Sequence, residues 1–235
     1  MKKMKKLCIA LASAALFSAG NASAEGHDWS GWYAGGALGI NNFVTDTSDY
    51  WCWYACDAPG NSEMLATATL GGGYNWQHGS SFVTGIELDV SSGLESSERI
   101  AWSGGTDGVN WESSWDYLIT LRGRAGLAVD KTLIYITGGL AAAQGDYSAQ
   151  EFGDSDNNFA KTDGMQIGMV AGAGIEHALS NNLQLKMEYL TMSMPKEDQC
   201  WADSGGSECA AGDNDDAVHW KTSNTVFRIG ANWSF

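Results

Sequence analysis

Apolar and polar residues alternate with a period of two along eight stretches of the 235-residue chain. Residues 30–40 set Trp32, Ala34, Leu38 and Ile40 against Gly31, Tyr33, Gly35 and Gly39. Residues 64–77 set Met64, Leu70, Tyr74 and Trp76 against Thr67, Thr69, Gly73 and Asn75. In 81–91, "SFVTGIELDVS", Phe82, Ile86, Leu88 and Val90 alternate with Glu87 and Asp89. Residues 114–127 place Trp115, Tyr117, Ile119 and Leu121 opposite Asp116, Thr120, Arg122 and Arg124. Stretches 165–178, 183–194 and 223–235 repeat the pattern, while 132–144, "TLIYITGGLAAAQ", is apolar on both parities and has no legible orientation. Period-two alternation predicts half-exposed β-strands, so the chain is read as all-β.

The connections sort by length. Three are tight turns, "HGS", "VDK" and "SNN"; the intervening ones are much longer. Short turns at one end and long loops at the other are the organisation of an outer-membrane barrel, with the short turns periplasmic. Each stretch is long enough to cross a bilayer as a tilted strand. In hydrocarbon every backbone N–H and C=O needs a partner, so the sheet must close. The expected fold is an eight-stranded antiparallel transmembrane β-barrel. Trp32, Trp76 and Trp233 fall at the periplasmic strand ends, and Trp115 and Trp220 at the outer ends. All five are expected in the two membrane interfaces, where amphipathic rings concentrate.

With the apolar parity facing lipid, the other parity faces the lumen and carries the charges. Those are Glu87, Asp89, Glu176 and Glu188 with Arg122, Arg124, Lys186 and Arg228. The third and fourth strands bring Glu87 and Asp89 to Arg122 and Arg124. The sixth and seventh bring Glu176 to Lys186, and Arg228 lies one strand beyond Glu188. A barrel of eight strands is just wide enough to be filled by side chains. The expectation is a plug of ion pairs; the alternative is a charged constriction in a narrow porin.

Composition adds compartment and exclusions. Gly is abundant at 30, Pro scarce at 2 and Trp frequent at 11. Lys2, Lys3, Lys5 and Lys6, the apolar "LCIALASAALF" and the small-x-small "ASA" read as a signal peptide over 1–24, leaving 25–235 as one barrel domain. Losing those four lysines takes the formal charge from −15 to −19, which disfavours nucleic acid as a partner. Four cysteines then remain in an exported chain, where disulfides are expected. Of three connectivities, locality favours Cys52–Cys56 and Cys200–Cys209. No cofactor is called for. "DSDNNF" at 154–159 and "DNDD" at 213–216 lack the spacing of a calcium loop, so no metal site is assigned. No G-x-S-x-G, P-loop or H-E-x-x-H motif is present. Among the four histidines only His219 lies on the outer side, leaving a lipid-modifying enzyme as the third reading. The aromatic run "YWCWYAC" at 50–56 is the best candidate for binding a host or surface ligand.

"WSGWYAGG" at 29–36, "LRGRAGLA" at 121–128, "YITGGLA" at 135–141, "GAGIEHAL" at 172–179 and "LKMEYL" at 185–190 occur in order. This set resembles the small outer-membrane surface antigens of alphaproteobacteria, porin-family or opacity-like barrels with the architecture of the OmpA membrane domain. The resemblance covers nearly all the strands. It implies a Gram-negative outer-membrane location and contact with membrane lipid and lipopolysaccharide. It also implies that the terminal Phe235 is an assembly signal read by the outer-membrane assembly machinery. The functional expectation is a non-enzymatic protein supporting envelope integrity and surface interaction.

Overall fold

The computed structural model describes residues 27–49, 61–101, 108–153, 159–200 and 217–235. The expected signal peptide, Cys52, Cys56, Cys209 and the runs 50–56, 154–158 and 213–216 lie outside them; Cys200 ends a strand, and its side chain is not described. The chain forms eight strands, β1 (Gly31–Asp49), β2 (Asn61–His78), β3 (Phe82–Ala101), β4 (Gly108–Val129), β5 (Thr132–Phe152), β6 (Phe159–Ala178), β7 (Leu183–Cys200) and β8 (Ala217–Ser234). Each pairs antiparallel with its sequence neighbours, and β1 pairs with β8, closing the barrel predicted from the alternation. The tight turns use residues suited to left-handed backbone: Gly79 has φ of 65° and Asp130 of 51°.

The strands are longer than the alternating stretches. At 18–22 residues each, tilted by about 40°, they rise about 50 Å, roughly twice the 25 Å apolar band of such barrels. In the periplasmic half, Leu38, Leu70, Ile86, Leu88, Ile136 and Ile167 face outward and exposed, as lipid-facing residues must. In the outer half the barrel divides. The β2–β3 pairing stops at Thr69↔Ser91, and the β6–β7 pairing at Met169↔Ser193. Beyond these points β7-β8-β1-β2 and β3-β4-β5-β6 continue as two four-stranded sheets facing one another.

That division reverses the solvent logic of the outer half. The two sheets pack Phe43, Met192, Met194 and Val226 against Leu94, Trp115, Leu118, Ala141, Ala143 and Val170. Outward positions there are polar, among them Asp46, Glu95, Glu112 and Asp163. Three strands switch parity in the outer half: β7 at a bulge relative to β8 after Ser193, and β3 and β4 at sites that face each other. In β3 the buried positions change from 91 to 94 across Gly93. In β4 they change from 118 to 115 across a bulge relative to β5. The two irregularities face each other, so β3 and β4 stay in register. A bulge adds a residue and transfers side chains to the other face.

Two tryptophan assignments are corrected by this geometry. Trp115 and Trp220 stand in the outer half but point into the barrel, each 1% exposed. The bulge turns Trp115 inward, and Trp220 lies on the inward parity of a β8 that starts before residue 223. Trp32, Trp76 and Trp233 do face outward at the periplasmic end, 64%, 44% and 52% exposed.

Candidate functional site

The lumen is organised in layers. At the level of the lipid band, Glu87, Asp89, Arg122, Arg124, Glu176, Lys186, Glu188 and Arg228 are all buried and form one connected network. The sequence puts them there because each occupies the inward parity of its strand, and register makes Glu87↔Arg122 and Glu188↔Arg228 direct cross-strand partners.

Arg122 is one hub. Its Nη2 donates to Glu87 Oε1 at 2.6 Å and to Asp89 Oδ2 at 2.7 Å, and its Nη1 to Glu188 Oε1 at 3.2 Å. Arg228 donates through Nε to Glu188 Oε2 and through Nη2 to Asp89 Oδ2, both at 2.7 Å. Lys186 Nζ bridges Glu87 and Glu188. Glu176 does not pair with Lys186, its cross-strand partner; it accepts instead from Arg124 Nη1 at 2.6 Å, two strands away on β4. Four acids and four bases leave the layer formally neutral, which buried charge requires.

Sequence reasoning missed the neutral groups that complete this layer. Tyr33 Oη donates to Glu87 at 2.8 Å, Tyr135 Oη to Glu188 at 2.9 Å and Thr120 Oγ1 to Asp89 at 2.8 Å. Asn75 accepts from Arg124 Nε, and Asn232 donates to Glu176. The Arg124 guanidinium lies between the Tyr33 and Tyr135 rings, 4.6 and 5.0 Å from their centroids, a favourable cation–π geometry. Asn75, Thr120 and Asn232 sit on the polar parity and were legible as lumen-facing. Tyr135 was hidden in the strand that is apolar on both parities.

Apolar layers bound the charges on both sides. Outward of them, Phe43, Leu94, Trp115, Leu118, Ala141, Val170, Leu190, Met192 and Val226 form a cluster with Leu65 packed against it, so that all eight strands contribute. Above that, the Trp115 indole N–H donates to Tyr147 Oη, whose own hydroxyl donates to Gln166. On the periplasmic side Trp29, Val83, Ala128, Leu133, Tyr135 and Ala178 pack together. His27 donates its backbone N–H to Asp130 O, tying the segment before β1 across the β4–β5 turn; partial burial there holds its imidazole below the ordinary value. A cavity of about 20 Å³ beside Tyr33, Glu87, Asp89, Lys186 and Arg228 has room for about one water.

A family model described as "Outer membrane protein beta-barrel domain" matches residues 9–235. The chain belongs to that family. It is 28% identical over 180 residues to the 31 kDa outer-membrane immunogenic protein of Brucella melitensis, covering 75% of this chain and 70% of the relative. It is 29% identical to the 22 kDa outer membrane protein of Rhizobium leguminosarum bv. viciae, covering 68% and 62%. Among solved structures it resembles the outer membrane protein OprG of Pseudomonas aeruginosa, with a TM-score of 0.50, 13% identity and coverage of 89% and 98%. The Escherichia coli outer membrane protease OmpT gives a TM-score of 0.55 at 7% identity, with coverage of 87% and 97%. Those two likenesses concern the fold alone. The protein is therefore an outer-membrane β-barrel of a Gram-negative envelope.

Proposed function

We propose that this barrel is a non-conducting, non-enzymatic outer-membrane protein that supports envelope integrity and presents a rigid head for surface contacts. One observation carries the non-conducting reading: the neutral charge layer is overlaid by an apolar septum to which every strand contributes. An ion crossing it would have to shed its hydration among Phe43, Trp115, Leu190 and Met192, at a prohibitive cost. The outer half supports a contact role, because two packed sheets hold the long loops about 20 Å or more above the lipid band. The name of the Brucella relative, an outer-membrane immunogenic protein, supports a surface antigen rather than a catalyst. Phe235, 80% exposed at the end of β8, is available as the assembly signal.

Reconstitution into planar bilayers is the direct test. Electrical silence with intact heat-modifiable folding is the expected result. Steady, ion-selective channels would replace this reading with that of a narrow porin. Deleting the protein should sensitise cells to detergents and bile salts without abolishing any lipid modification.

A further inference from the structure

We infer that residues 27–30 form a strap that stoppers the periplasmic mouth of the barrel with Trp29, and that protonation of His27 releases it and opens the charge layer to the periplasm. The septum lies on the opposite side of that layer, so the strap would work alike in a conducting or a silent barrel.

Gly31, where β1 begins beside Asn75 of β2, has φ of 122°, a conformation that L side chains rarely adopt. It turns the preceding residues over the mouth. His27 reaches the β4–β5 turn on the far rim, where its backbone N–H donates to Asp130 O at 3.3 Å. Midway, the Trp29 backbone N–H donates to Gln77 Oε1 at 2.8 Å, and the Gln77 N–H to Ser30 Oγ at 3.2 Å. Between these anchors the Trp29 indole drops into the mouth. Its packing partners Val83, Ala128, Leu133, Tyr135 and Ala178 all belong to the wall strands β3 to β6; Trp29 alone does not. Tyr135 in turn donates to Glu188 and flanks Arg124, so the stopper sits directly beneath the charge layer. Trp29 is 5% exposed, and its indole N–H is buried without a hydrogen-bond partner among the described residues. An unpaired buried donor costs free energy, which gives the closed strap a standing bias towards release.

His27 is the sensor. Its Nε2 lies 3.4 Å from the Gln184 amide nitrogen, a donor, so the imidazole accepts there and carries its proton on Nδ1. Gln184 is buried at the start of β7 and oriented by Ser234, whose hydroxyl donates to Gln184 Oε1 at 3.3 Å. A protonated imidazole has no acceptor left and sets one N–H against another. The ring also meets Trp29 edge-on, 4.7 Å between centroids, so sensor and stopper move together. The charges around it are Asp28 of the strap, Lys131 of the β4–β5 turn and Glu176 of β6; Gln184 on β7 and Ser234 on β8 are neutral. Burial outweighs the attraction of Asp28 and Glu176, Lys131 acts in the same sense as burial, and the closed-state imidazole is held below its ordinary value. The closed form is therefore favoured fully above about 6.5, where a released His27 would titrate, and progressively less below it.

The test is hydrogen exchange of the full barrel in detergent micelles, read residue by residue by NMR and corrected for the intrinsic pH dependence of exchange. Between about pH 7.5 and about pH 5.5 the protection of the His27, Trp29 and Gln77 amides should fall several-fold, up to the ceiling of about tenfold set by an ordinary imidazole value. Mid-strand amides such as that of Ile136 should keep their protection, which separates release from acid unfolding. His27→Leu should make the strap's protection independent of pH. Gln184→Glu supplies the imidazolium with a carboxylate acceptor, so its strap should be better protected in acid than at neutral pH. The heat-modifiable band reports that each variant folds. Unchanged wild-type protection across this range overturns the inference, as does an acid loss of the same size in His27→Leu or Gln184→Glu.

Discussion

Replacing Arg122 by Met and Glu87 by Gln, singly and together, separates a dry plug from a wet pore. Arg122 Nη2 and Glu87 Oε1 are 2.6 Å apart, with neither side chain more than 3% exposed. At an effective dielectric near 20, unit charges about 4 Å apart attract by about 4 kcal/mol, and Arg122 faces three carboxylates. Desolvation cancels much of that sum, but truncating one partner of a buried pair still costs about 3–5 kcal/mol, because the other charge remains buried. Arg122→Met leaves the layer one negative charge in excess; Glu87→Gln leaves it one positive. The double variant restores neutrality. It should be less destabilised than the sum of the singles by about 2–3 kcal/mol. Urea unfolding from phosphatidylcholine vesicles, followed by gel mobility, measures all four corners of the cycle. Additivity within about 0.5 kcal/mol, or single-variant costs below about 1 kcal/mol, would mean the charges are solvated, as in a water-filled pore, and the plug argument would fail.

Three further outcomes follow from the packing. In single-tryptophan variants, brominated lipids should quench Trp32, Trp76 and Trp233 but leave Trp115 and Trp220 untouched, since only the first three face the membrane; strong quenching of Trp115 would contradict the β4 bulge. Gly174→Ala should cost about 1–3 kcal/mol in the same urea assay, because a Cβ there would stand 2.5 Å from the ring of Tyr135, its cross-strand partner. Trp115→Ala should cost about 3–5 kcal/mol, by emptying the centre of the septum where its ring meets Phe43 edge-on at 5.0 Å between centroids; a cost typical of an exposed residue would place this ring outside the core.

The membrane-spanning half was legible because its two solvents differ sharply. Lipid selects apolar residues at Ile86, Leu88 and Val90, and the lumen tolerates Glu87 and Asp89 between them, so a period of two survives in the letters. The three tight turns fix the register of β2–β3, β4–β5 and β6–β7, while Glu87 with Arg122 and Glu188 with Arg228 lie on strand pairs joined by long loops and were legible only as neighbours on adjacent strands. Partner choice within the layer was less accessible. Glu176 faces Lys186 across one ladder step yet pairs with Arg124 on β4, because long side chains in a narrow lumen reach past the intervening strand, here over Tyr135 of β5. No pattern along a single strand encodes that distance.

The outer half defeated the pattern for a different reason, one that β4 makes explicit. Two reversals coincide at Asp116 and Tyr117. Below them the apolar residues Ile119 and Leu121 face outward to lipid; above them Trp111 and Trp115 are apolar because they face inward, between the two sheets. The environment exchanges its polar and apolar sides, and the bulge exchanges the faces, so the odd-numbered positions, Ser113 excepted, stay apolar along the strand. An unbroken alternation thus conceals a change of face. The same reasoning explains why residues 132–144 had no orientation: Leu133 and Tyr135 pack in the periplasmic cluster while Ile134 and Ile136 face lipid, and both parities are apolar in consequence. In β7 the reversal is not concealed. The bulge after Ser193 brings a charged residue, Lys196, onto the face that had been lipid-exposed, so the break is visible in the letters.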